Sequence, residues 1–342
     1  MEKTQYSRLP EKESVVVLVD PNSSPTPPSR ASNWRRSWKL LVVVFFVSVF
    51  IGHALFSGCN WREWRSTKSG GHGHFRPPCD DSYPWSGKRE YLFDKDKTTL
   101  SIKLVGAVSR SVVNLHQLKD AKQGNVTLDI HINQDFLQDE IKVQENKGTD
   151  TYELEVATPH SLLHDRCIIV DVYAMVPSEV KLINLEGTNS HFKVGELKTT
   201  NVFLRSKNGD IGVKEIEADQ VSATTMNGKV EGKFRIANEL NLETMNGAIK
   251  IDAEPAKDQN VAFKAKTING PVTMNQSKDK FNGAFSLKTV IGRTHVSAPG
   301  AEDKLDLRED HRWSKQGSFG DEGKGMYIEL GTINGDVELE FN

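Results

Sequence analysis

Three cysteines in 342 residues are too few for a disulfide framework. Cys59 and Cys79 can pair in an oxidising lumen, which leaves Cys167, heading the apolar run Cys167-Ile168-Ile169-Val170, as a small core residue. An excess of either charge is missing too. The 44 Lys and Arg nearly balance 46 Asp and Glu, so the net charge of −2 predicts no nucleic-acid partner. Groupings that carry catalysis are also absent. His116, His131, His160 and His164 recur at no fixed spacing, and no Ser-His-Asp or Cys-His arrangement can be assigned. His72 and His74 lie in a Gly-rich stretch that reads as a spacer rather than a metal site. No catalytic residue, cofactor or metal is expected.

One segment lacks charge altogether. Leu40 to Ser57 is 18 residues without Asp, Glu, Lys or Arg, about 27 Å long as a helix and so able to cross a bilayer. Trp34, Trp38, Trp61 and Trp64 flank it as interfacial anchors. Before it, residues 1–39 are rich in Pro, Ser and charge and are expected to be a disordered cytosolic tail. After it, residues 58–90 read as a flexible linker. Arg30, Arg35, Arg36 and Lys39 against Arg62, Arg65 and Lys68 lean toward a cytosolic N-terminus. The sequons at Asn125 and Asn275 agree, since glycosylation there requires a luminal or extracellular C-terminal part. The expectation is a single-pass, signal-anchored glycoprotein.

Helical periodicity is scarce beyond residue 90. Residues 91–180 show alternating strands such as TLSIKLV, NVTLDIHI and TYELEVA. From 181 to 342 one phrase recurs. Asn189, Asn208, Asn227 and Asn246 lie 19 residues apart, followed by Asn269, Ile291 and Asn334. The expected turns are Asn208-Gly209, Asn227-Gly228, Asn246-Gly247, Asn269-Gly270 and Asn334-Gly335, and the Gly column is expected at φ > 0. Two residues earlier stand Ser206, Thr225, Thr244, Thr267, Thr289 and Thr332, with aliphatic columns on either side. A hairpin meander and a β-solenoid both accommodate the alternation. Persistence of like columns favours the solenoid, with repeats of about 19–23 residues and stacked Asn side chains bonded along its axis. Fold class is therefore all-β: a β-solenoid preceded by further β-strands, one transmembrane helix and a disordered tail.

The phrases TTMNGKV, ETMNGAI, KTINGPV and GTINGDV resemble an adhesin family, a domain of unknown function built from short strands with T-x-N-G-x-[IV] turns. The likeness covers roughly residues 180–342, and the layout of disordered tail, single span and strand-rich exterior part also resembles fungal single-pass proteins of this kind. It implies a solenoid with an adhesive or envelope role, and it carries no catalytic residues. A solenoid enzyme acting on polysaccharides is the alternative, but no outward column collects the carboxylates it needs. A luminal scaffold of the secretory pathway is a third reading. An apolar column beside the turn, Met226, Met245, Ile268, Val290 and Ile333, either tucks into a corner or docks a partner. Expected partners are the membrane and cell-wall or surface glycans or proteins. Self-association is also expected through the C-terminal rung, which has nothing after it to cap its edge unless the loop 298–326 folds over it.

Overall fold

The computed structural model describes residues 79–162, 165–258 and 260–342. The expected span at 40–57, the tail 1–39, Cys59 and the linker up to residue 78 lie outside these residues. Among the described residues no helix is long and apolar enough to cross a membrane.

Alternating side chains give each short strand one buried face. Leu185, Leu204, Ala223, Leu242, Ala265, Leu287 and Leu330 are buried before the turns, and Phe192, Ile211, Val230, Ile249, Val272, Thr294 and Val337 after them. Like columns stack side by side in parallel register. Before the turns, Leu185 pairs with Leu204, Leu204 with Ala223, Ala223 with Leu242 and Leu242 with Ala265. After them, the series runs Phe192, Ile211, Val230, Ile249, Val272. An antiparallel meander of hairpins is excluded for these repeats. Two strands, Ile211–Asn227 and Val230–Asn246, bend from one ladder into the other, with register shifts between Val213 and Ile216 and between Ala218 and Gln220.

The ladders continue into residues 91–180. Thr99–Val105 and then Thr151–Ala157 extend the first, while Arg110–Leu118 and then Ile168–Pro177 extend the second. At this end the stack closes with antiparallel strands: Lys142–Lys147 on one ladder, and Gln123–Ile132 followed by Glu90–Asp94 on the other. Tyr152 stacks on Phe93 with ring centroids 4.6 Å apart and donates its hydroxyl to Glu145. Within residues 79–90, part of the stretch read as linker, Trp85 is buried and donates Nε1–H to the Gln138 carbonyl, while most of its neighbours are exposed. Cys79 forms a disulfide with Cys167 across 88 residues, not with Cys59. Cys167 is fully buried, as expected of a core residue, but tertiary packing brings Cys79 to it from a point remote in sequence.

The other end departs from chain order. Met326–Gly331 inserts between Ala262–Asn269 and Gly283–Lys288, and Val337–Phe341 between Val272–Gln276 and Thr294–Ser297. The C-terminal repeat is therefore interior, each of its strands paired on both sides, so its edge needs neither the loop 298–326 nor a second chain to cover it. The segment read as the loop 298–326 contains an antiparallel hairpin, Leu305–His311 with Ser314–Phe319, whose second strand pairs with Gly283–Lys288. Phe319 lies flat on Phe341 at 4.2 Å, and Phe281 and Phe285 pack around the same ring.

Candidate functional site

The Asn-Gly turns form one continuous edge. Nδ2 of each Asn donates to Oδ1 of the previous one: Asn208 to Asn189, Asn227 to Asn208, Asn246 to Asn227, Asn269 to Asn246 and Asn334 to Asn269, at 2.6–2.7 Å. Asn189 closes the series on the Val108 carbonyl at 2.8 Å. Beneath this ladder runs a second. Hydroxyls of Ser206, Thr225, Thr244, Thr267, Thr332 and Thr289 donate to main-chain carbonyls of the neighbouring rung, those of Ser190, Gly209, Gly228, Gly247, Gly270 and Gly335. Buried carbonyls that strand pairing leaves over are thereby satisfied.

Close approach, rather than dihedral angle, sets the Gly column. Only Gly270, Gly292 and Gly335 have positive φ, at 147°, 155° and 154°; Gly209, Gly228 and Gly247 do not. The expectation of φ > 0 is corrected for these three. A Cβ on Gly228 would stand 2.1 Å from the Gly209 carbonyl oxygen, and one on Gly247 1.9 Å from that of Gly228. Rungs cannot stack at this distance around any larger residue.

Beside the ladder the apolar column is half open. Met226, Met245, Ile268 and Ile333 are half-buried, while Val290 is 65 % and its neighbour Ile291 66 % exposed. In space the order along this stripe is Met226, Met245, Ile268, Ile333, Val290, because the C-terminal repeat is interleaved.

The outward face of the second ladder carries charge. A groove of about 480 Å³ is lined by Glu215, Lys233, Arg235, Asp252, Glu254 and Asn275 among others. Lys198 bonds Glu217 at 2.6 Å, Arg235 lies between Glu217 and Glu254, and Lys280 reaches Glu254 at 2.7 Å. The Lys198 bond holds the Glu217 carboxyl below the usual range. Burial pushes Glu254 upward, but its bonds to Lys280 and Arg235 outweigh it and the net shift is down. Carboxylates held ionised in cation chains are poor proton donors. The two sequons differ in setting. Asn275 donates Nδ2 to Asp252 Oδ1 at 2.8 Å in the groove, whereas Asn125 lies mid-strand between Leu92 and Met175. Among the described residues no cluster of three or more His, Cys, Asp or Glu is placed to hold a metal.

Comparison with known proteins gives a family model, Toastrack DUF4097, that matches residues 114–310. No curated protein matches the sequence. Among solved structures, a "putative cell adhesion protein" from Clostridium sporogenes is 12% identical with TM-score 0.34, covering 76% of this chain and 100% of its own. A "putative adhesin" from Bacteroides fragilis is 12% identical with TM-score 0.36, covering 74% and 98%. Another from Parabacteroides merdae is 10% identical with TM-score 0.28, covering 76% and 96%.

Proposed function

Because the chain belongs to the Toastrack DUF4097 family, we propose that its stacked strands are an adhesin-like β-solenoid that binds or supports structure outside the cytosol. Family membership bears out the likeness read from the four Asn-Gly phrases. In this reading Leu40 to Ser57 anchors the protein once in the membrane, with residues 1–39 cytosolic and the solenoid at the cell surface. The observation that carries the placement is the Cys79–Cys167 disulfide, since such a bond persists in an oxidising compartment and is rare in the cytosol. A non-enzymatic role is supported by the ion-paired outward face, where Glu254 in the groove and Glu217 beside it are held ionised rather than poised to donate a proton. The proposed contact region is the turn edge with its stripe, Met226, Met245, Ile268, Ile333 and Val290, facing surface glycans or proteins.

The test joins topology to binding. In cells expressing the full chain with a C-terminal epitope, the tag should be reached by antibody or protease only from the exterior or lumen. The exterior domain should retain glycans or surface proteins on an array without releasing sugar from envelope polysaccharides. A tag reached from the cytosol would refute the placement, and released reducing sugar would favour the polysaccharide-degrading alternative.

A further inference from the structure

On the outward face of the antiparallel end of the stack, strand Gln123–Ile132 carries Asn125 and Thr127 side by side, two residues apart and on the same face. Leu92 stands directly opposite Asn125 on one neighbouring strand and Met175 on the other, while Tyr173 stands opposite Thr127. Directly opposed residues share a face, with Cβ atoms about 5 Å apart. These three apolar neighbours are turned to solvent, at 48 % for Leu92, 37 % for Met175 and 45 % for Tyr173. Glu90, Asp94 and Asp171 lie around them on the same strands. The Asn125 Oδ1 is buried and has no hydrogen-bond partner, while the residue as a whole is half-buried on this outward face. These exposed apolar side chains, ringed by polar ones, offer a surface that a covering group can use, and at their centre is an Asn-Val-Thr sequon.

We propose that Asn125, rather than Asn275, carries an N-linked oligosaccharide whose reducing-end sugar seats on Leu92, Met175 and Tyr173 and covers that patch. The inference rests on the exterior placement proposed above. The co-reactant is a lipid-linked oligosaccharide diphosphate, delivered by the oligosaccharyltransferase of the secretory pathway. Sugar C1 bonds to Asn125 Nδ2, the C1–O bond to the lipid diphosphate breaks with its electron pair leaving on oxygen, and one Nδ2 proton passes to a base of the transferase. The C–H faces of the sugar then lie against apolar side chains and the Tyr173 ring, as amphipathic surfaces do. Asn275 offers no such seat. Its Nδ2 is bonded to Asp252, and its cross-strand neighbour is Glu340.

The full chain is expressed through a eukaryotic secretory pathway and treated with an amidase that cuts the Asn–sugar bond. A mobility shift is expected in the parent, in Asn275→Gln and in Thr127→Ser, which keeps the sequon; it should be lost in Asn125→Gln and in Thr127→Ala. The Asn125 peptide should change to the mass of its aspartate form. A shift retained in Asn125→Gln and lost in Asn275→Gln would overturn the assignment. So would an unglycosylated chain whose Cys79–Cys167 disulfide is formed, and that result would leave the exterior placement standing. A chain lacking both glycan and disulfide would refute the placement and the inference together. The seat is read by trimming. Fluorescence of an apolar dye should rise several-fold on complete removal of the glycan and little when one sugar is left, and Leu92→Ser should diminish the rise. Dye binding unchanged by complete removal would overturn the seat.

Discussion

Gly228 and Gly212 separate two uses of the same residue. Gly228 closes a turn whose Cβ position is 2.1 Å from the Gly209 carbonyl, whereas the nearest atom to a Cβ on Gly212 is the Phe192 carbonyl oxygen at 3.8 Å. Gly228→Ala should cost about 3 kcal/mol, the upper part of the overpacking range, while Gly212→Ala should be neutral or stabilise by up to about 1 kcal/mol through lost chain entropy. Urea unfolding of both variants checks the pair, and equal midpoints would refute the close-approach account. Glu254 gives a pH prediction. Its folded pKa lies below 4.5, so its ion pairs contribute stability that is present above pH 4.5 and lost as pH falls through the folded value. The melting temperature should decline below that point, and Glu254→Gln should flatten part of the decline. An identical acid profile in the variant would show that Arg235 and Lys280 contribute nothing there. At this scale much was legible in the sequence. The repeats place their Asn, Ser or Thr, and Leu or Ala columns in the same surroundings, with Ile291 alone breaking the Asn column, so the columns reveal the contacts. The φ of each Gly was not legible, because steric closeness and left-handed backbone select the same residue.

The repeats as elements were readable for the same reason, but their order in space was not. The repeats at Ile291 and Asn334 both offer Thr, an apolar residue, a turn and Gly, so either can follow Asn269. What distinguishes them is the Asn: Asn334 continues the amide ladder to Asn269, whereas Ile291, at the end, does not. A chain ending at Lys324 lacks Met326, Ile328, Leu330, Val337, Leu339 and Phe341, all buried, and leaves Ala262–Asn269 and Gly283–Lys288 without the strand between them. It should fail to unfold cooperatively, and an added peptide spanning 325–342 should restore the transition by strand addition. A truncated chain that melts like the parent would contradict the interleaved order. The edges are also built against wrong pairing. Leu305–His311 and Lys142–Lys147, which end the first ladder, are rich in charged residues.

For the whole molecule, the Cys79–Cys167 disulfide ties residues preceding the first long strands to the second ladder. Its 88-residue separation predicts a loss of roughly 4–5 kcal/mol when the loop is opened, on the chain-entropy account. Cys79→Ser with Cys167→Ala should lower the unfolding free energy measured by urea titration by that amount, and reductant should do the same to the parent but not to the variant. The partner of Cys79 could not be read from the sequence because the pairing is set by the stack, not by proximity along the chain. The interleaved repeat has a further consequence during synthesis. Residues 283–297 leave the ribosome before 326–341, yet the later segment occupies the place beside 262–276. Folding in step with translation would bring the wrong neighbours together first. The final repeat acts as a keystone: a chain stalled before it has a gap within its wall rather than a shorter stack, so incomplete products betray themselves by exposed core.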